Sequence, residues 1–271
     1  MTHEFPLVLA AILYFVAFLL LWGFIRKRSV SWRNASFALA AAGTLLHAGA
    51  QYSHWIGHAV PDVSLPHLLS LCALVVMVLL LTSTFSRPAL YAAGIVALPI
   101  ATGVLLLEWV LPHGGYSLSE VTPGIAVHVI SSVLAFGLIS IAGVYALFVF
   151  IIDHVLRRHH LSPLVRSLPP LVVMEDLLFK TIAAGFVLLS ASLLSGIMFI
   201  DDIFAQHLVH KTILSIMTWV LFGVMLWGRW RYGWRGSLAV RLTLAGIILL
   251  VLAYFGSKLV LEMILGKSWQ A

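Results

Sequence analysis

Twelve histidines stand in a chain of 271 residues, and their spacing is the first sign of chemistry. His47, Gln51, His54 and His58 fall at i, i+4, i+7 and i+11, so a continuous helix sets them in one stripe. His207 and His210, at i and i+3, share a helix face. His128 follows Pro123 closely, and His67 comes directly after Pro66, positions that suit the opening turn of a helix, where proline is tolerated. Imidazoles gathered in this way can ligate a metal ion or a haem iron, carry protons, or hydrogen-bond a neighbouring helix.

The other side chains decide little between these. Zinc and similar ions usually recruit Cys or carboxylates beside His, and Asp62, Glu108, Glu120, Asp201 and Asp202 are available. Haem asks for one or two axial imidazoles and an apolar, aromatic pocket, which Trp55, Trp109, Phe136, Tyr145, Phe199 and Phe204 could line. From spacing alone, haem, a metal or proton pathway, and structural histidines all remain open.

The elements that position these residues are membrane spans. Apolar residues make up 62% of the chain and charged ones only 10%, against about 25% charged in soluble domains. Crossing a hydrocarbon core takes roughly 20 apolar residues in a helix, and only helices or closed barrels satisfy their own backbone there. Eight helix-length apolar runs occur, at 5–25, 34–52, 65–85, 89–111, 123–152, 181–200, 207–227 and 238–265. The first leads into Arg26, Lys27 and Arg28 without a small-residue cleavage pattern, so it reads as a retained span. The fold expected is an all-α bundle of eight transmembrane helices forming one domain, residues 1–271.

Basic residues orient the bundle, because short loops rich in Lys and Arg stay cytoplasmic. Arg26, Lys27, Arg28, Arg33, Arg87, Arg157, Arg158, Arg166, Lys180, Arg229, Arg231, Arg235 and Arg241 fall after the odd-numbered spans, 13 of the 16 basic residues. Lys211, Lys258 and Lys267 remain for the other face. Both termini are therefore expected on the outer side, and the net charge of +6 is a topology signal, with no nucleic-acid partner implied. Nine histidines then lie at or near the outer face: His3, His47, His54, His58, His67, His113, His128, His207 and His210. His154, His159 and His160 belong to a basic cytoplasmic loop, the longest internal one, in which 168–178 reads as a short interfacial segment. The single Cys72 allows no intramolecular disulfide and reads as a small apolar residue.

The run from His128 through Ser131, Ser132, Ala135 and Phe136 to Tyr145, HVISSVLAFGLISIAGVYALFVFIID, resembles the histidine-led helix of the cytochrome c assembly family, the CcsA, CcmC and HemX haem-handling proteins. HKTILSIMTWVLFGVMLWGRWRYGWRG, from His210 to Gly236, with LAYFGSK from Leu252, is similar to the YpjD branch of that family. The resemblance is strongest over 123–271, while the first four spans match in number and hydropathy, with His47 in a corresponding place.

That resemblance implies a multi-pass protein of the bacterial inner membrane that binds haem non-covalently. Its ligands would come from His128, His210, His47 and His207, with His128 and His210 as candidate ligands of the haem iron. Partners would be the lipid bilayer, haem, and other haem-maturation or membrane proteins. Two departures from the family pattern bear on catalysis. FIDDIFAQHLVHK, Phe199 to Lys211, replaces the tryptophan-rich loop that holds haem at the outer surface. Tyr254, Phe255, Gly256 and Ser257 stand where synthase members carry a second external histidine. The chain is therefore expected to handle haem without acting as an enzyme that attaches it. The alternatives are a divalent-cation or proton-coupled transporter, which the apolar span midpoints Val16, Met77 and Leu189 disfavour, and a structural or regulatory membrane subunit.

Overall fold

A computed structural model describes residues 4–57, 64–86, 88–111, 123–157, 165, 168–199 and 209–256. Among these residues the regular structure is entirely helical. Eight α-helices are described over their length: α1 (Glu4–Lys27), α2 (Val30–Gly57), α3 (Leu65–Ser86), α4 (Gly94–Val110), α5 (Pro123–Arg157), α6 (Leu171–Phe199), α7 (Val209–Tyr232) and α8 (Ser237–Val251). A 3-10 turn, Pro88–Ala93, precedes α4, and a π turn, Leu252–Gly256, closes α8. Seven described stretches, all but α2, are long and apolar enough to cross a membrane. The chain is a polytopic, all-α membrane protein. Helix α2 differs because Arg33, Asn34, Thr44, His47 and Gln51 lower its hydropathy.

One expected boundary needs correction. Residues 171–178, read as part of an interfacial segment, are instead the first turns of α6, which runs on without a break past Lys180. The charges that interrupt the apolar pattern are accommodated locally. Lys180 Nζ pairs with Asp176 Oδ2 one turn away at 2.8 Å. Glu175 turns inward, and its Oε1 accepts the Gly236 N–H at 2.8 Å.

By its contacts the chain divides into two compact units, residues 1–119 with 154–170 and residues 120–153 with 171–271. The first is built on α1 to α4. Helix α1 lies along α2 and α4, and α3 along α4 and α2. Arg28 ends α1 in the left-handed conformation, φ 58°, with its N–H on the Phe24 carbonyl at 2.7 Å, and the chain reverses into α2. The reversal brings the Trp32 ring onto Gly23, where any Cβ would overlap it. Tyr14, Leu21, Met77, Leu80, Tyr91, Leu98 and Leu105 fill the interior of this unit.

In the second unit α7 packs on α6 and α8. Small residues set the approach of these helices, as is usual where lipid supplies no hydrophobic drive for association. Gly185 of α6 receives Ile139 of α5, and Gly246 of α8 receives the fully buried ring of Phe222 from α7.

Candidate functional site

His128 lies in the second turn of α5, one turn beyond Gly124, on which the ring of Phe199 at the end of α6 is seated. Its Nδ1 is 2.8 Å from the backbone carbonyl oxygen of Ser192 on α6. A carbonyl only accepts, so Nδ1 carries the proton, and in the neutral ring the lone pair is on Nε2. The Ser195 hydroxyl donates to the same carbonyl at 2.9 Å, and the hydroxyls of Ser132 and Ser192 bond to each other across α5 and α6. This half-buried imidazole is held as metal-binding imidazoles are, one nitrogen fixed by a backbone acceptor and the other able to coordinate.

His210 is exposed on the first turn of α7. His207 lies outside the described residues, as do His3, His58, His113, His159, His160, Asp62, Glu120, Asp201, Asp202 and Phe204.

In the first unit, His47 is fully buried with both ring nitrogens engaged. Nδ1 faces the Tyr14 hydroxyl at 3.4 Å, and Nε2 meets the Ser70 hydroxyl at 2.8 Å. Gln51, one turn on from His47, donates to the same Ser70 oxygen at 2.9 Å, and Tyr14 donates to Thr44 at 3.1 Å. Three residues before Ser70 on α3, His67 Nδ1 pairs with Glu108 Oε1 of α4 at 2.8 Å, with both side chains almost wholly inaccessible. Four helices thus enclose a polar network. The expected stripe of α2 is inward-facing at His47 and Gln51.

Spacing had pointed to His47, Gln51 and His67 but not to their partners. Glu108 is 41 residues from His67, and Tyr14 is a lone hydroxyl in an apolar run. The Ser192 carbonyl is backbone and has no signature in side-chain sequence. Of the aromatics considered, Phe136 packs on Tyr254 and Phe255 at centroid distances of 5.3 and 5.4 Å, Tyr145 is buried, and Trp109 is half exposed. Among the described residues no group of three or more His, Cys, Asp or Glu could hold a metal ion.

Residues 7–265 match the family described as Cytochrome C assembly protein. This chain belongs to the cytochrome c assembly protein family. Within it, the chain is 30% identical over 265 residues to the inner membrane protein YpjD of Escherichia coli strain K12, covering 95% of this chain and 98% of the relative. Shorter likenesses join it to proteins named cytochrome c biogenesis protein CcsA. That of Mesostigma viride is 24% identical over 99 residues, 36% of this chain and 32% of the relative. That of Prochlorococcus marinus strain MIT 9303 is 27% identical over 88 residues, 32% of this chain and 28% of the relative. No solved structure matches the chain. Membership and the near full-length likeness to YpjD agree with a multi-pass protein of the inner membrane.

Proposed function

We propose that this chain binds haem non-covalently in the membrane, with Nε2 of His128 as an axial ligand of the iron, and does not itself join haem to cytochrome c. The observation that carries the reading is the bond from His128 Nδ1 to the Ser192 carbonyl. It selects the tautomer with a free Nε2 lone pair, holds the ring between two helices, and raises the basicity of the coordinating nitrogen. Bound haem would supply an iron that accepts this imidazole. Family membership supports haem as the ligand class.

With the basic residues on the cytoplasmic face, the entry to α5 faces outward, and His128 sits just inside the outer surface. Among the described residues His210, exposed at the entry to α7, is a further histidine of the same unit in the opening turns of a helix, and it serves as an auxiliary ligand. His47 is assigned a structural role, since both of its nitrogens are bonded within α1 to α3. The absence of tryptophan between Phe199 and Lys211 supports a carrier or holder of haem over an attachment enzyme, which must present haem at a stacking surface loop. Adding haemin to the detergent-purified protein tests the binding: a saturable Soret shift is expected. Formation of holocytochrome c by this chain alone would overturn the non-catalytic reading.

A second reading, proton-coupled transport, has one observation in its favour, the buried His67–Glu108 pair, because ionisable groups inside membranes commonly mark proton pathways. Proton flux into proteoliposomes that is abolished by Glu108→Gln would favour it.

A further inference from the structure

At the end of the α1 to α4 unit that carries Arg26 and Lys27, the structure holds a cavity of about 270 Å³ lined by Arg33, Asn34, Phe37, Thr84, Phe85 and Tyr91. Its hydrogen-bonding capacity is one-sided. Ser36 Oγ donates to the Ala17 carbonyl, so in the 2.9 Å contact between Ser36 and Tyr91 the tyrosine hydroxyl is the donor and its hydrogen is committed. The Thr84 hydroxyl donates to the Leu80 carbonyl at 2.8 Å. Arg33 uses Nε and one Nη2 hydrogen on Asn34 Oδ1, at 3.4 and 3.3 Å. That leaves its Nη1 group, the other Nη2 hydrogen and the Asn34 amide hydrogens as donors, in a cavity with no carboxylate among the described residues that line it.

An oriented guanidinium with spare N–H groups and no anionic partner suits a phosphate. The rest of the cavity is aromatic. Phe37 meets Phe85 and Tyr91 edge to face at centroid distances of 5.6 and 5.5 Å, and the Phe85 ring is 77% exposed. The same end bears Arg26 over Trp22 and Lys27 over Trp32, each 4.9 Å from the ring centroid, the cation-over-aromatic arrangement of residues at headgroup level.

We propose that this cavity binds an anionic phospholipid, with the headgroup phosphate on Arg33 and Asn34 and the apolar part of the lipid against Phe37 and Phe85. The ligand is a lipid because the guanidinium lies beside an exposed aromatic surface at the end of membrane-crossing helices, so that phosphate and acyl chain are recognised together.

The test uses the full-length protein, delipidated in detergent and re-titrated with dioleoylphosphatidylglycerol or dioleoylphosphatidylcholine, with bound lipid read by native mass spectrometry. Arg33→Gln is compared with Arg231→Gln, which removes the same charge from α7, and a melting curve establishes that both variants fold. The proposal expects Arg33→Gln to lower phosphatidylglycerol retention about fivefold and to leave phosphatidylcholine retention unchanged, with Arg231→Gln near wild type. Equal losses in the two variants would mean diffuse surface attraction and overturn the site. Displacement of the lipid by sodium phosphate or glycerol phosphate at millimolar concentration would make it a site for soluble phosphates and overturn the lipid assignment. If Arg33→Gln does not fold, Asn34→Leu and Phe85→Ala take its place, and wild-type retention in both would overturn the proposal.

Discussion

The imidazole of His128 donates from Nδ1 to the backbone carbonyl of Ser192 at 2.8 Å, joining the second turn of α5 to the last third of α6. Because the acceptor is main chain, no substitution at Ser192 deletes it, and the ring is positioned by the path of α6. The serines around it reinforce that path. Ser132 bonds to Ser192, and Ser195 donates back to the Ser192 carbonyl. His128 is thus placed by the close approach of two helices, which Gly185 allows by admitting Ile139.

The buried His67–Glu108 pair predicts an asymmetric response to substitution. Glu108→Leu removes the carboxylate facing His67 Nδ1 at an almost wholly inaccessible position and is expected to cost about 3 kcal/mol or more. Glu108→Gln keeps an oxygen for Nδ1–H and should cost distinctly less. The double variant His67→Leu/Glu108→Leu should recover part of the loss. Melting temperatures of the purified proteins in one detergent check the order, and equal destabilisation by Gln and Leu would contradict it.

Gly246 makes a separate prediction for the second unit. A Cβ there would overlap the ring of Phe222, which is fully buried. Gly246→Ala should destabilise by about 1 to 3 kcal/mol through overpacking. Adding Phe222→Leu should return much of that stability. A Gly246→Ala variant that melts with the wild type would show that α7 and α8 are not packed as closely as described.

The orientation proposed from the basic residues predicts reporter behaviour along the chain. Fusions after Arg33, Arg166 and Arg235 should report a cytoplasmic location, and fusions after His113 or at Ala271 an external one. A cytoplasmic C-terminus would require an odd number of spans and would place His128 differently with respect to the outer surface.

Much of the fold is legible in the sequence because a helix in lipid must be apolar over its length, so hydropathy alone marks where α1 and α3 to α8 lie. The start of α6 is not legible that way. Glu175, Asp176 and Lys180 look like a loop until their partners are known, an i,i+4 neighbour for two of them and the Gly236 N–H for the third. The histidine spacing of α2 carries the inward direction of His47 and Gln51 but leaves open what they do there, and the structure has a hydrogen-bond partner at each nitrogen of His47. Ser70 and Glu108 come from other helices, and nothing local in the sequence marks them as partners.

The claim that most needs testing is that Nε2 of His128 ligates haem. Detergent-purified full-length protein and its His128→Ala variant, shown by melting curves to be equally folded, are each titrated with haemin while the Soret band is followed. The account predicts a saturable, shifted Soret band for the wild type and a loss of affinity of more than about tenfold in His128→Ala, with the spectrum of the ligated form absent. Wild-type affinity and an unchanged Soret band in His128→Ala would contradict it.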